Sequence, residues 1–227
     1  MAKLFLFDIE GTTTDISFVH NVLFPYSKAR MEEFITSHED QSEVADALAL
    51  VKQTVLAEEH KTLESVNELS NKLLHWIETD RKHPALKALQ GLIWDHGYKS
   101  GDFKGHVYED VAPFFKKLKG LGHTIGIYSS GSVHAQKLIF GYSTAGDLTD
   151  LISFYFDTKV GAKREASSYE NIIKAVGLEA NEITFFSDIP QELAAAQVTG
   201  IKPVHLVRPG TAASEFMGIN NFNQFKI

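Results

Sequence analysis

Four apolar residues, Leu4-Phe5-Leu6-Phe7, run without a break into Asp8-Ile9-Glu10-Gly11 and three threonines, Thr12, Thr13 and Thr14. An apolar run this short, with no alternation and a turn-forming stretch behind it, reads as a strand buried on both faces, as in a parallel sheet. Open α/β sheets bind ligands beyond the carboxyl ends of their strands. Asp8 and Glu10 would emerge at that edge. Paired carboxylates there suit a hard cation such as Mg²⁺, which prefers oxygen ligands, and point to phosphoryl-transfer chemistry.

Behind Thr14 the pattern changes period. From Tyr26 to about Tyr98 apolar residues recur at helical spacing, as in Met31, Phe34 and Ile35, in Val44, Leu48, Val51 and Val55, and in Leu86, Leu89, Leu92 and Ile93. The spacing predicts four amphipathic helices with no strand among them. After Gly105 helices and strands alternate: helix 111–121, strand 124–128, helix 133–140, strand 152–156, helix 167–176, strand 183–186, helix 193–198 and strand 203–207. Such alternation implies right-handed crossovers and a parallel sheet covered on both faces. The expected fold is α/β, with a Rossmann-like core made of residues 1–14 and 106–227. A helical cap, residues 15–105, is inserted after the first strand.

Bulk properties narrow the classes of function. The 227 residues contain 22 Lys and Arg against 29 Asp and Glu, a formal charge of −7 that disfavours nucleic acid and anionic membranes as partners. The absence of cysteine excludes disulfides, thiolate metal sites and a cysteine nucleophile. The start at Met-Ala-Lys leaves no room for a signal peptide, and no apolar stretch approaches the roughly 20 residues of a membrane helix. A cytoplasmic monomer acting on a small molecule is expected.

Further chemistry-bearing residues stand where strands end. The strand ending at Tyr128 gives Ser129-Ser130-Gly131-Ser132 at the start of a helix, and the strand ending at Phe186 gives Ser187-Asp188, with Glu192 four residues on. Between them, Lys159 and Lys163 precede a helix. Serine at such a place commonly caps the helix, but free N–H groups at a helix start also cradle a phosphate. The ten histidines show no paired zinc spacing, and neither the G-x-S-x-G elbow nor a P-loop is present.

Carboxylates, a hydroxyl, a lysine and another carboxylate, in that order on successive strand ends, resemble the haloacid dehalogenase superfamily of phosphatases. Several segments narrow the resemblance to its enolase-phosphatase branch: Asp8-Ile-Glu-Gly-Thr-Thr-Thr14, Ile16-Ser-Phe-Val19, Leu23-Phe-Pro-Tyr26, Gly105-His-Val-Tyr-Glu-Asp-Val111, Tyr128-Ser-Ser-Gly-Ser132, Phe156-Asp-Thr-Lys159 and Arg208-Pro-Gly210.

The resemblance implies that Asp8 is the nucleophile that forms an aspartyl-phosphate and that Lys163, rather than Lys159, offsets phosphoryl charge. It implies that Ser129 or Ser130 binds the phosphate and that Asp8, Glu10 (by its main-chain carbonyl) and Asp188 hold Mg²⁺. Glu10 stands where most of the superfamily has aspartate, as the acid–base residue. The implied substrate is 2,3-diketo-5-methylthiopentyl-1-phosphate, enolised and then dephosphorylated to the acireductone of methionine salvage. Glu192 is a candidate for orienting a metal-bound water, and Lys99, His106 and Tyr108, taken with the cap, are candidates for substrate contact. Asp15 stands where the resemblance would put proline. The rival readings are another capped phosphatase, acting on a sugar or glycolate phosphate, and a phospho-accepting switch.

Overall fold

The computed structural model describes residues 3–79 and 81–227. The chain divides into two compact units, one made of the residues up to Phe18 together with Lys104–Ile227, the other of Val19–Phe103.

In the first unit the elements are β1 (Leu4–Phe7), a short α1 (Ile16–Phe18), and, after the second unit, α6 (Val111–Gly120), β2 (Thr124–Tyr128), α7 (Val133–Gly141), β3 (Phe154–Phe156), α8 (Ala166–Val176), β4 (Ile183–Ser187), α9 (Pro190–Val198), β5 (Lys202–Leu206) and β6 (Gly218–Ile219). The sheet is parallel throughout, in the order β3-β2-β1-β4-β5-β6. β1 lies between β2 and β4, with Leu4 opposite both Thr124 and Ile183. The order reverses at β1, and the crevice outside the carboxyl ends there is where such sheets take ligands.

The absence of alternation in β1 has the expected cause, since all four of its side chains are buried. Phe7 stacks on Phe186 with centroids 4.8 Å apart and meets Phe115 and Phe222 on one face of the sheet. Leu4 and Leu6 join Tyr128, Tyr169, Phe185 and Leu193 on the other. Each fully buried side chain of this size contributes about 1.5–3 kcal/mol.

Three boundaries differ from the expectation. The strand expected at 152–156 begins at Phe154, because Thr149–Leu151 form a 3₁₀ turn and Ile152 closes it. The two-residue β6 is too short to leave a periodic pattern. His106 and Tyr108, grouped with the cap in the sequence reading, lie in the first unit.

The second unit starts with a π-helical turn (Val19–Leu23) and continues through α2 (Phe24–Ser37), α3 (Ser42–Glu59), α4 (Val66–Glu78) and α5 (Pro84–Ser100). It has a core of its own, in which Met31, Ile35, Val51, Leu73, Trp76 and Leu89 are buried. Local signals set its helix starts. Ser65 and Glu68 form a reciprocal capping box on α4.

His83 caps α5, with Pro84 following at the first position. The His83 Nδ1 accepts from the Ala85 amide at 3.2 Å, and Nε2 lies 3.0 Å from the Thr54 hydroxyl, which itself donates to the Leu50 carbonyl. The bond at Nδ1 requires the neutral ring, whereas Nε2–H can donate to Thr54 in either state. Burial, and then Arg81, hold the His83 pKa below its ordinary 6.5, against the pull of Glu58. A depressed histidine pKa contributes stability above the unfolded value that is lost as pH falls below it. His83→Ala should therefore cost about 1 kcal/mol near pH 7.5, and the gap from wild type in thermal unfolding should narrow near about pH 5.5. A gap independent of pH would remove the neutral-ring argument.

Candidate active site

Asp8 directly follows β1 and stays on the ladder, its N–H donating to the Phe186 carbonyl at 2.9 Å. Its carboxylate is buried. Oδ1 accepts from the Ile9 amide at 2.7 Å and faces the Lys163 ammonium at 2.6 Å. Among the described residues Oδ2 accepts no hydrogen bond. The loop that follows is closed by its own backbone, the Ile9 carbonyl accepting from Thr12, Thr13 and Thr14 at 2.8–3.2 Å. The Thr13 hydroxyl turns back to the Asp8 carbonyl at 3.0 Å.

Asp188 follows β4, the neighbouring strand. Its N–H donates to the Thr12 hydroxyl at 3.0 Å, and its carbonyl accepts from His205 Nε2 at 3.1 Å. Gly11 must be glycine for two reasons: its φ is +74°, and a Cβ there would lie 2.2 Å from an Asp188 carboxylate oxygen. Burial, reinforced by the charge of Asp8, pushes Asp188 up to about 6.

Lys163 is buried between two acids, with Nζ 2.6 Å from Asp8 Oδ1 and 2.7 Å from Glu192 Oε2. Burial alone would lower its pKa, but the facing carboxylates outweigh burial and leave it above the ordinary range. Glu192 in turn accepts from the Ser187 hydroxyl at 2.9 Å, and burial followed by the Asp8 charge raises it to about 7. Its partners show that Glu192 anchors the lysine. The loop presenting Lys163 is pinned by α8 and β2: Tyr169 donates to the Lys163 carbonyl at 2.7 Å, Ser168 to that of Ala162 at 2.6 Å, and Tyr128 to that of Gly161 at 3.0 Å. Lys159, the rival, is exposed.

Ser129, at the end of β2, is buried, its N–H on the Phe156 carbonyl and its hydroxyl accepting from Gly131 at 3.2 Å. Ser130 is exposed beside it. The cap of α7 is neither of these but Ser132, which accepts from the Ala135 amide at 3.2 Å. Glu10 is exposed and forms a backbone bridge with Thr14 in the loop after β1. Lys99, in the helical unit, pairs with Asp95 within α5 at 2.6 Å. Asp15 replaces the expected proline with a hydrogen bond, its carboxylate accepting from the Ser17 amide at 2.8 Å at the start of α1.

Nothing in the sequence assigns a task to Arg208, Asp110 or His205. Buried Arg208 donates through Nε and Nη2 to the Thr12 carbonyl at 3.1 and 3.0 Å, and through Nη1 to Asp110 at 3.0 Å. Asp110 also accepts from the Phe222 amide at 2.6 Å. The guanidinium lies over the Tyr108 ring, 4.1 Å from its centroid. One side chain thus fixes the loop after β1, the start of α6 and the C-terminal segment. Arg208 and Asp110 stand in segments that carry the family resemblance, but the contacts span up to 196 positions, so no local pattern tells what they hold.

The donor set fits Mg²⁺. Asp8 and Asp188 bring carboxylates to adjacent strand ends, and burial followed by the charge of Asp8 holds Asp188 above the ordinary carboxylate range. Among the described residues no three His, Cys, Asp or Glu side chains gather as a metal cage. Mg²⁺ keeps several waters and is commonly held by one or two carboxylates, so the two carboxylates of Asp8 and Asp188 fit it.

This arrangement, and the sequence that makes it, has relatives. Residues 2–200 match the family of haloacid dehalogenase-like hydrolases. The chain belongs to that family. Within it, the chain is 46% identical over 224 residues to the enolase-phosphatase E1 of Citrobacter koseri, covering 98% of this chain and 96% of that one. It is 48% identical over 214 residues to the enolase-phosphatase E1 of a Picosynechococcus species, covering 94% and 93%. Among solved structures it resembles the UTR4 protein of Saccharomyces cerevisiae, with a TM-score of 0.83, 36% identity and coverage of 99% of this chain and 100% of that one. The family's parallel α/β core is the sheet described above. No helix among the described residues is long and apolar enough to cross a membrane.

Proposed function

We propose that the chain is an enolase-phosphatase that converts 2,3-diketo-5-methylthiopentyl-1-phosphate to the acireductone 1,2-dihydroxy-3-keto-5-methylthiopentene and phosphate in methionine salvage. Similarity to enolase-phosphatases over nearly the whole chain supports this. The observation that carries the phosphatase half is the Asp8 carboxylate, held by Lys163 through one oxygen while the other accepts no hydrogen bond among the described residues.

In this reading Asp8 attacks phosphorus in line, and Glu10 protonates the departing oxygen and then activates the water that cleaves the aspartyl-phosphate. Lys163 offsets charge on the phosphoryl oxygens, and Ser129 with the N–H groups at the start of α7 binds them. Asp8, Asp188 and the Glu10 main-chain carbonyl would hold Mg²⁺, which when bound neutralises charge between the phosphoryl group and the carboxylates. In the enolase half Glu10 takes a proton from C1 of the diketone. The helical unit, spliced into the chain just after the catalytic loop, serves as the cap that selects the substrate. A cytoplasmic monomer completes the reading, and the acidic charge balance disfavours nucleic acid and anionic membranes as partners.

An anaerobic time course on the diketo-phosphate tests it. Enol absorbance followed by phosphate release is expected with Mg²⁺, and a chelator should suppress phosphate release. Phosphate without any enol signal would indicate a plain capped phosphatase. Glu10→Gln should slow both steps by about 10²–10⁴-fold, the usual worth of a general acid–base. Normal enol formation with failed dephosphorylation would place the enolisation base elsewhere. Gly11→Ala should lose about 1–2 kcal/mol to its left-handed backbone and displace Asp188. A Mg²⁺ titration of activity would show the displacement as a higher metal requirement.

A further inference from the structure

The enolase half needs a second group besides a base. When a proton leaves C1 of the diketone, negative charge builds on the C2 oxygen, and a pre-positioned donor there lowers the barrier. We infer that His106, as a neutral imidazole with its proton on Nε2, is that donor. The inference rests on the enolase-phosphatase reading and adds to it a catalytic residue for the first step.

The tautomer follows from one contact. His106 Nδ1 lies 3.0 Å from the backbone nitrogen of Asp15, and an amide N–H can only donate. Nδ1 must therefore carry a lone pair, which leaves the ring proton on Nε2. Burial, aided by Arg208 and opposed by Asp15, holds the ring pKa below the ordinary range and favours this neutral form. Among the described residues Nε2 makes no hydrogen bond, so its proton is available to a ligand.

The position is as constrained as the tautomer. The segment carrying His106 runs alongside the catalytic loop and is tied to it three times. Thr14 donates its hydroxyl to the His106 carbonyl at 2.8 Å, Asp15 donates to the ring, and the Tyr108 amide donates to the Thr13 carbonyl at 3.0 Å. On the other side Gly105 is locked against 142–144, its N–H on the Tyr142 carbonyl and its carbonyl accepting from Thr144, both at 2.8 Å. A Cβ on Gly105 would lie 2.2 Å from the Ile139 carbonyl oxygen. The Tyr108 ring meets His106 edge-on at 5.1 Å and is itself backed by Arg208. The imidazole is thus held on the loop that carries Asp8 and Glu10, in one orientation and one protonation state.

The step balances without a further reactant. Glu10 removes the C1 proton, the C1–H electron pair becomes the C1=C2 π bond, and the C2 carbonyl π pair moves to oxygen. His106 Nε2–H hydrogen-bonds that oxygen and keeps its own proton. The carboxylic acid formed on Glu10 then protonates the oxygen, giving the enol.

The test compares two reactions of the same variant: enol formation from the diketo-phosphate, and hydrolysis of phenyl phosphate, which has no carbonyl to enolise. In His106→Phe, enol formation should fall about 10²–10³-fold further than phenyl phosphate hydrolysis, the usual cost of removing one such donor. His106→Asn, which retains an acceptor and a donor, should recover part of the loss. A parallel fall in both reactions, or unchanged enol formation, would overturn the inference. Should His106→Phe not fold, nitrogen NMR of the wild-type ring decides the point: a neutral Nε2–H tautomer at neutral pH is expected, and a cationic ring would overturn it. Wild-type protein that hydrolyses phenyl phosphate but never forms the enol would instead sink the enolase reading itself.

Discussion

Asp8→Asn should fold normally and release phosphate at least about 10⁴-fold more slowly than wild type, because the amide has no nucleophilic oxygen and the aspartyl-phosphate never forms. The substitution is nearly isosteric, and the amide oxygen can still accept from the Ile9 N–H that now reaches Oδ1. Enol formation should survive in part, since the proposed first step uses Glu10 and His106 rather than Asp8. The expected record is a rise in enol absorbance with almost no phosphate behind it. Phosphate release near the wild-type rate would remove Asp8 as the nucleophile.

Lys163→Met should be the most destabilising single change in the site. It leaves Asp8 and Glu192 facing each other in a buried space from which their shared cation has gone. Removing one partner of a buried charge network costs about 3–5 kcal/mol, because the remaining charge keeps its desolvation penalty. The loss should depend on pH in a defined sense. Glu192 already titrates high, at about 7 against an ordinary 4.5, so the folded protein holds its proton where the unfolded chain has lost it. Stability contributed by such a raised carboxyl falls as pH rises through that interval. Without the lysine the effect grows, and denaturant unfolding of the variant should show a deficit that widens from acidic to neutral pH. Lys163→Met combined with Glu192→Gln should recover part of the stability and none of the phosphatase activity. A double variant no more stable than the single one would mean that Glu192 is not what the lysine neutralises.

The parts of this protein legible in its sequence are those written locally. Leu4–Phe7 could be read as a doubly buried strand because its burial leaves no alternation, and α4 because Ser65 and Glu68 cap it within one turn. Asp8, Asp188 and Lys163 could be named from their order on strand ends, and the fold brings Asp8 and Lys163 into contact. The choice of Lys163 over Lys159 had no local basis, since both stand on polar stretches; only the pinned loop separates the buried lysine from the exposed one. Glu192 was legible as an acid but not as the lysine's anchor. Arg208 and His205 carried no signal of a task, because each acts on a carbonyl that the sequence places elsewhere. His106 stands at the boundary expected for the core, and what holds it there is distant in sequence. It lies close in sequence to the helical insertion, while its hydrogen bonds go to residues about 90 positions earlier.

The central place of β1 also bears on how the protein is made. Leu4–Phe7 leaves the ribosome before any of its partners, yet it pairs with β2 at Thr124 and with β4 at Ile183. Pairings this distant form slowly, because a long loop must close before the contacts compensate. In the interval the nascent chain carries an unpaired, wholly apolar strand, the kind of segment that recruits a second copy. The helical unit, whose core is complete by Ile93, has everything it needs to condense first. The strand that leads into Asp8 is therefore the earliest to appear and among the last to be enclosed, and synthesis halted before residue 183 would yield a chain prone to aggregate rather than a weak enzyme.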